Sequence, residues 1–322
     1  PDGHPLRPAR GRGDLAGPCF DLAVPPDGYA WWYLDGLSED GARAISIIGF
    51  IGSVFSPWYR WSGRRDPADH CCLNVATYGP GGRWTMTDRG HAALALTADT
   101  LSIGPSAMHW DGARLAVAID ELTWPHLGRL RGEVVLTPEA LTSVELPLTP
   151  DGRHIWRPFA PSARIDVRLD RPGWTWSGHG YFDANFGTAA LEADFRYWTW
   201  GRFPTRGGAT VFYDATRTDG SDLAVGIRFR GSEAEVIDPP PKARLPRSLW
   251  AVRRETRADT GHQPRQVKAM LDAPFYCRSA VRTRIDGQET VGVHEALDLT
   301  RFRSPWLKPM LAVKVPRRAR WP

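Results

Sequence analysis

Two Asp-Gly turns, each set between runs of apolar residues, constrain the fold of this chain most strongly. Asp-Gly between such runs is the strongest short signal for a β-hairpin. The first turn lies in YAWWYLDGLSEDGARAISIIGFIGSVF (29–55) and the second in GATVFYDATRTDGSDLAVGIRFRG (208–231). The spacing is also shared, because Phe50 and Phe229 each follow the turn glycine at the same distance. We predict two β-hairpins from a duplicated β domain, with chance similarity between hairpins as the alternative.

Further turn signals recur along both halves of the chain, roughly every 8–15 residues, which is the spacing of a sandwich or barrel. The 322 residues include 15 Trp, 28 Pro and 32 Gly, a composition that favours short strands and tight turns over helices. We therefore predict an all-β fold with two domains, 1–170 and 171–322. The boundary is placed at the proline turn of LDRPGW, and a basic tail ends the second domain.

The formal net charge is +5, and many of the cations lie near the two ends of the chain. Basic ends are compatible with nucleic acid or with anionic lipid as a partner. The combination of stacking aromatics and Lys/Arg that marks known nucleic-acid modules is missing, so we predict no nucleic-acid partner. The tail PWLKPMLAVKVPRRARW (305–321) mixes Trp and Leu with cations. It predicts peripheral contact with a membrane, the alternative being a solvated tail.

The four cysteines do not form a CxxC motif or a disulfide framework. They are Cys19, Cys71, Cys72 and Cys277. Adjacent residues of a strand point to opposite faces, so we expect buried thiols at Cys71 and Cys72 rather than a metal site, in a reducing cytoplasm. The longest apolar run, 44–55, is shorter than the roughly 20 residues that a membrane-spanning helix needs. The sequence shows no signal peptide.

Two segments carry side chains suited to acid chemistry, whereas P-loop, GxSxG and HExxH motifs are missing. In GRHIWRPF (152–159), an extended strand places His154 and Trp156 on one face; in SGHGYFDANFG (177–187), it does the same for His179, Tyr181 and Asp183. Aromatic residues surround the second segment. The alternative for His154 and Trp156 is that they only pack against their neighbours. The alternative for Asp183 is that it belongs to a turn and hydrogen-bonds its own backbone.

Five long motifs together resemble the carotenoid 1,2-hydratase family, also called hydroxyneurosporene synthases. The similarity runs from about residue 20 to about residue 318 and is carried by AWWYLDGLSEDG, IIGFIGSVFSPWY, LNVATYG with RWTMTDRG, SGHGYFDANFG and HEALDLTRFRSPW. The resemblance implies two lipocalin-like β-barrel or sandwich domains in tandem. It implies cofactor-free addition of water across the terminal C1=C2 bond of an acyclic carotenoid such as neurosporene or lycopene. Binding proteins occur in the same superfamily, so fold alone does not settle activity.

The residues of the two segments suit this reaction. Asp183 is the predicted acid that protonates C2, and desolvation among aromatic rings is expected to keep it protonated. Trp156 and Tyr181 would face the tertiary cation at C1, each contributing about 0.5–2 kcal/mol. His154 would orient or deprotonate the attacking water, and His179 would support Asp183. If Asp183 is not the acid, the next candidate is Asp35.

A long apolar substrate needs an apolar slot. We predict that its walls include Trp31, Trp32, Tyr33, Trp198 and Trp200, with core packing as the alternative for each. We predict no metal, nucleotide or flavin, because hydration is redox-neutral. The protein is expected in the cytoplasm, at the inner photosynthetic membrane. A lipocalin-type carrier that holds a carotenoid or another apolar ligand unchanged is the alternative function.

Overall fold

The computed structural model describes residues 6–9, 17–124 and 127–318. Strands hold 57% of the residues and helices 9%, which confirms the predicted all-β class. The chain forms two compact units. The larger unit consists of Arg7–Ala190 together with residues from Trp306 onward, and the smaller unit consists of Leu191–Pro305 with Leu6.

The larger unit is built on one 15-stranded sheet, in which non-sequential strands become neighbours. Its strands are β1 (Arg7–Pro8), β2 (Tyr29–Ser38), β3 (Ala44–Ile51), β4 (Cys71–Tyr78), β5 (Trp84–Thr85), β6 (Asp88–Arg89), β7 (Leu94–Leu96), β8 (Thr100–Ile103), β9 (Ser106–Trp110), β10 (Leu115–Leu122), β11 (Arg129–Pro138), β12 (Val144–Pro147), β13 (His154–Arg171), β14 (Trp174–Gly187) and β24 (Arg317–Arg318). The main path runs β24-β6-β4-β3-β2-β14-β13-β11-β10-β9-β8-β7. This path is open: within the described residues its last strand, β7, has one paired neighbour and two exposed residues. The predicted barrel is therefore not found there.

The hairpin predicted at 29–55 is confirmed by the antiparallel pairing of β2 with β3. Gly41 in its turn has a φ of 68°, a conformation that favours glycine. Alternation along β2 sends Trp32 and Leu34 into the main hydrophobic core, together with Phe182 from β14. The neighbouring residues of β2 and β14 consequently face the opposite side of the sheet, and the candidate site lies there.

Strands β13 and β14 form a long hairpin in the middle of this sheet, paired from His154 with Gly187 to Leu169 with Trp174. Its turn contains Gly173 at a φ of 89°. The domain boundary predicted near residue 170 falls at this hairpin end, inside the larger unit, whereas the two compact units divide at residue 190. The division into two tandem lipocalin-like domains stays a prediction.

The C-terminal segment joins the larger unit through α4 (Leu307–Lys314) and β24. Trp58 of α1 (Pro57–Trp61) donates its indole N–H to the carbonyl of Val315 at 2.7 Å. Arg317 donates to the carboxylate of Asp69 at 2.7 Å and to the buried carboxylate of Asp88. Two 3₁₀ turns, Pro67–Asp69 and His91–Ala93, complete the unit. The end of the predicted basic tail, 319–321, lies outside the described residues.

The smaller unit contains a seven-stranded and a two-stranded sheet. Its elements are α2 (Leu191–Asp194), β15 (Phe195–Thr205), β16 (Gly208–Arg217), β17 (Asp222–Arg230), β18 (Glu233–Ile237), β19 (Lys242–Leu245), β20 (Arg254–Arg257), β21 (Arg265–Asp272), β22 (Tyr276–Ile285), β23 (Gln288–Asp298) and α3 (Leu299–Phe302). The strand order is β18-β17-β16-β15-β23-β22-β21, with β19 paired to β20. The second predicted hairpin is confirmed as β16 with β17. No helix among the described residues is long and apolar enough to cross a membrane.

Candidate active site

Two Tyr-x-Asp segments meet on the face of the larger sheet that lies opposite the hydrophobic core. Strands β2 and β14 are antiparallel, with Tyr181 opposite Asp35 and Asp183 opposite Tyr33. The Tyr33 and Tyr181 rings lie 6.1 Å apart between centroids, which places both on the same face. The pairing thus brings two carboxyl groups and two phenols together from positions about 150 residues apart in the chain.

Asp183 is held by two donors that converge on one of its oxygens. The Trp156 indole N–H donates to Asp183 Oδ2 at 2.7 Å, and the Tyr181 hydroxyl donates to the same atom at 2.7 Å. Trp156 and Tyr181 are each 0% exposed, and Asp183 is 4% exposed. Trp156 reaches this carboxyl group from β13, where it is paired with Asn185. Hydrogen bonds of this kind stabilise negative charge on the oxygen that accepts them.

Asp35 forms a second, similar pair on the neighbouring strand. The Tyr33 hydroxyl donates to Asp35 Oδ2 at 2.5 Å, and Asp35 is fully buried. Burial is the main cause that raises the pKa of Tyr181 well above its usual range, and the neighbouring carboxyl groups of Asp183 and Asp35 raise it further. Tyr181 therefore remains a neutral hydrogen-bond donor at physiological pH.

The sequence pattern indicates Asp35 only as an alternative acid, not as a neighbour of Asp183. One signal was present: the triplets Tyr33-Leu34-Asp35 and Tyr181-Phe182-Asp183 repeat the same pattern of phenol, apolar residue and acid. Their register, however, depends on long-range strand pairing. A local sequence cannot specify it.

His154 lies on the same face but at the far end of the strand pair. Its Nδ1 shares a hydrogen bond of 2.9 Å with the Tyr29 hydroxyl, and both residues are buried. Gly187 makes this contact possible, because a Cβ there would lie 2.8 Å from His154 Nδ1. His154 pairs with Gly187, four residues from Asp183 and thus about 13 Å along the strand.

Aromatic side chains continue from the carboxyl groups toward His154. Tyr29 stacks on Trp31 with centroids 4.8 Å apart, and Trp31 lies 6.0 Å from the Phe50 ring. Trp31 and Tyr33 are paired across the strands with Asn185 and Asp183, respectively. Of the predicted slot walls, these two therefore lie beside the predicted acid. The result is a mostly apolar face with a cluster of acids at one end.

The other predicted site residues lie elsewhere. His179 Nε2 is 3.4 Å from Ser162 Oγ, four residues along β14 from Asp183. Trp32 faces the core on the opposite side of β2, where its indole N–H donates to the Pro18 carbonyl at 2.9 Å.

Trp198 and Trp200 belong to β15 of the smaller unit. Trp198 contacts Phe195 and Tyr213 there, edge to face, with ring centroids 5.6 Å and 6.1 Å away.

The site can supply acid chemistry in an apolar setting. It combines a carboxyl group, one oxygen of which accepts two hydrogen bonds, with aromatic rings beside it. Such a site can protonate a neutral apolar molecule and stabilise the cation that forms. Within the described ranges, no group of three or more His, Cys, Asp or Glu is arranged to hold a metal ion. The four cysteines are unpaired thiols, and burial raises the pKa of Cys71 to about 12.

Fold and site together define an all-β protein with a buried acid centre lined by aromatic rings. The model of the family described as carotenoid hydratase CrtC matches residues 47–322. The chain is 64% identical over 277 residues to the acyclic carotenoid 1,2-hydratase of Cereibacter sphaeroides, covering 85% of this chain and 99% of that protein. It is 45% identical over 322 residues to the enzyme of the same name from Thiocapsa roseopersicina, covering 98% and 80%. The chain belongs to the carotenoid hydratase family, as the sequence motifs predicted.

Solved structures share the fold at low sequence identity. A putative AttH from Nitrosomonas europaea matches with a TM-score of 0.60 and 16% identity, over 91% of this chain and 99% of that one. Kievitone hydratase from Nectria haematococca matches with a TM-score of 0.52 and 11% identity, over 92% and 98%. At these identities the similarity concerns the fold alone.

Proposed function

We propose that this protein is an acyclic carotenoid 1,2-hydratase, which adds water across the terminal C1=C2 double bond of substrates such as neurosporene or lycopene. Membership of the hydratase family and relatives of that name at 41–64% identity support the proposal. The observation that carries it is Asp183, a buried carboxyl group whose Oδ2 accepts hydrogen bonds from Trp156 and Tyr181. An alkene offers little for an enzyme to bind except its π electrons, so a well-placed acid is essential.

Asp183 transfers its proton to C2 and leaves a tertiary cation at C1. We assign the transferred proton to Oδ1, because Oδ2 already accepts two donors. Those donors stabilise the carboxylate that forms as the proton leaves, and such stabilisation counts most in a dry site. Tyr181 is a neutral donor while Asp183 gives up its proton, since the pKa of Tyr181 lies well above its usual range.

Aromatic rings stabilise the cation. Trp156 and Tyr181 contact the acid directly, so a double bond within reach of Asp183 lies close to both rings. Each π face contributes about 0.5–2 kcal/mol, and the larger value applies to a desolvated site. Trp31 and Tyr33 would form the wall of the slot beyond the acid. The assistance to the attacking water that the sequence assigns to His154 would have to act from about 13 Å along the strand from Asp183.

The reaction balances without an electron donor or acceptor. One proton goes to C2, water oxygen bonds to C1, and one proton leaves the bound water, so no redox cofactor is required. We propose that the chain acts without a cofactor.

Its substrate is a hydrocarbon of the bilayer, which supports a peripheral position on the cytoplasmic side of the inner photosynthetic membrane. The matched hairpins β2–β3 and β16–β17 support a lipocalin-like origin for the two halves of the chain.

Incubation with lycopene-loaded membranes tests the function. A hydratase yields a product heavier by one water, and a carrier yields unchanged lycopene that co-purifies with the protein. The carrier remains the alternative from the sequence, but an acid with two converging donors has no use in a site that only holds a hydrocarbon. Unchanged lycopene after incubation with well-folded protein would contradict the proposed activity.

A further inference from the structure

The geometry points to Asp35 as the second catalytic residue of the site, the group that takes the proton from the attacking water. The inference rests on the proposed hydration. It begins from the paired arrangement in which Tyr181 stands opposite Asp35 and Tyr33 opposite Asp183. Diagonal neighbours in such a ladder lie about 7–8 Å apart, so the two carboxyl groups are near enough to serve adjacent carbons of one double bond.

Asp35 is a better candidate for the base than His154, because it lies nearer to the acid Asp183. The acid and the base serve adjacent carbons, and reacting atoms must approach within about 3–3.5 Å, so both groups must lie within several ångströms of one double bond. His154 is four residues away from Asp183 along the strand, about 13 Å. Its Nδ1 is also engaged with Tyr29 at 2.9 Å.

Asp183 and Asp35 together account for both protons that move in the reaction. Asp183 gives a proton to C2, water bonds to C1, and the carboxylate of Asp35 removes a proton from the oxonium to leave the hydroxyl. Asp35 is then neutral and Asp183 charged. Tyr181 lies opposite Asp35 on the neighbouring strand and donates to Asp183, so we assign to it the return of one proton from Asp35 to Asp183. The cycle ends with both groups restored.

Hydration in D₂O separates protonation of C2 from capture of water at C1. Protonation puts deuterium on the carbon chain, whereas water capture adds the hydroxyl group. Asp35→Asn should still protonate C2, so the recovered hydrocarbon should contain deuterium or isomerise by loss of a methyl proton, while hydrated product falls roughly a hundredfold. Asp183→Asn should give neither label nor product. Asp35→Glu keeps a carboxyl group and serves if the Asn variant does not fold; it should retain labelling with reduced product.

Wild-type hydration is the control, and its failure would refute the proposed function rather than the role of Asp35. His154→Gln is the matched variant and should capture water better than Asp35→Asn. Normal product formation by folded Asp35→Asn, or loss of label as well as product, would overturn the assignment. So would a His154→Gln variant that alone shows label without product.

We draw a second inference from an exposed apolar turn on the smaller unit. Leu249 is 96% exposed and Trp250 is 50% exposed, adjacent in a tight turn between β19 and β20. Two hydrogen bonds from neighbouring elements hold this turn in place. Arg301 donates to the carbonyl of Trp250 at 2.7 Å, and Leu249 N–H donates to Asp272 Oδ2 at 2.6 Å. Two large apolar side chains held outward by a structured turn indicate a partner surface.

Cations surround this tip, which we define as 247–253. Arg247 and Arg253 are exposed within it, and Arg253 pairs with Glu255 at 2.6 Å; Arg301 donates to the carbonyls of Trp250 and Ala251. Trp and Leu beside cations suit the interface of an anionic bilayer, where indole rings settle at headgroup depth. We infer that this tip inserts into an anionic phospholipid membrane and brings the protein to its bilayer-borne substrate, which again rests on the proposed function.

Flotation with carotenoid-free vesicles tests this inference independently of hydration. Wild-type protein should bind phosphatidylcholine vesicles that contain phosphatidylglycerol and bind pure phosphatidylcholine less. Leu249→Ser with Trp250→Ser should lower partitioning at least tenfold, and Arg247→Gln about fivefold, equivalent to about 1 kcal/mol. The matched control is Leu127→Ser with Val267→Ser, at sites 64% and 46% exposed. Unchanged partitioning of the tip variant, or self-association that the variant abolishes, would overturn the assignment.

Discussion

Trp156→Phe is the most informative single change at the acid, because it removes one hydrogen bond and keeps an aromatic ring. The indole N–H donates to Asp183 Oδ2 at 2.7 Å, and Trp156 is fully buried. A hydrogen bond to a charged group contributes about 1.5–3 kcal/mol. Since the charge develops only as the proton leaves, this energy should be lost mainly from the transition state. At about 1.4 kcal/mol per factor of ten, kcat should fall roughly ten- to hundredfold.

The assay is the rate of hydrated product formation from lycopene in detergent micelles, with folding checked by circular dichroism. Trp32→Phe is the matched control, because Trp32 is equally buried and its N–H donates to the Pro18 carbonyl at 2.9 Å, on the core side of β2. It should lower stability and leave kcat nearly unchanged. Wild-type kcat in Trp156→Phe, or an equal loss in Trp32→Phe, would refute the reasoning.

Three further changes test neighbouring parts of the account. Tyr181→Phe removes the second donor to Asp183 but keeps the ring; kcat should fall about tenfold, and an unchanged kcat would count against the role of the hydroxyl. Gly187→Ala places a Cβ 2.7 Å from the Tyr29 ring, so it should lower the free energy of unfolding by about 1–3 kcal/mol in urea melts; a neutral result would contradict this packing. Burial lowers the pKa of His294 to about 4, below its unfolded value, so the unfolded chain binds more protons below about pH 6.5. Stability should therefore fall by about 2 kcal/mol from pH 7 to pH 5 through this residue, and His294→Gln should remove that part of the loss.

Local sequence was sufficient for much of the secondary structure and part of the site. Asp-Gly turns predicted the hairpins β2–β3 and β16–β17, because turn chemistry acts over a few residues. Alternation placed Tyr181 and Asp183 on one face, as the structure has them. Such patterns need no information about distant parts of the chain.

Long-range pairing set the rest. Asp35 and Asp183 are neighbours only because β2 lies between β3 and β14, a strand order that no local pattern encodes. Alternation implies that Trp31 and Trp32 point to opposite faces, but the sequence does not say which face is the core. The structure places Trp32 in the core and Trp31 beside Asn185.

The activity of Asp183→Asn tests the central claim most directly. Asparagine keeps the shape of the side chain, and its amide oxygen can accept the same hydrogen bonds from Trp156 and Tyr181, but it has no proton to give to an alkene. We expect a folded protein with nearly wild-type stability whose hydration of lycopene is at least about a hundredfold slower. Near-normal hydration by a well-folded Asp183→Asn protein would contradict it, and the proton donor would then have to be sought at Asp35.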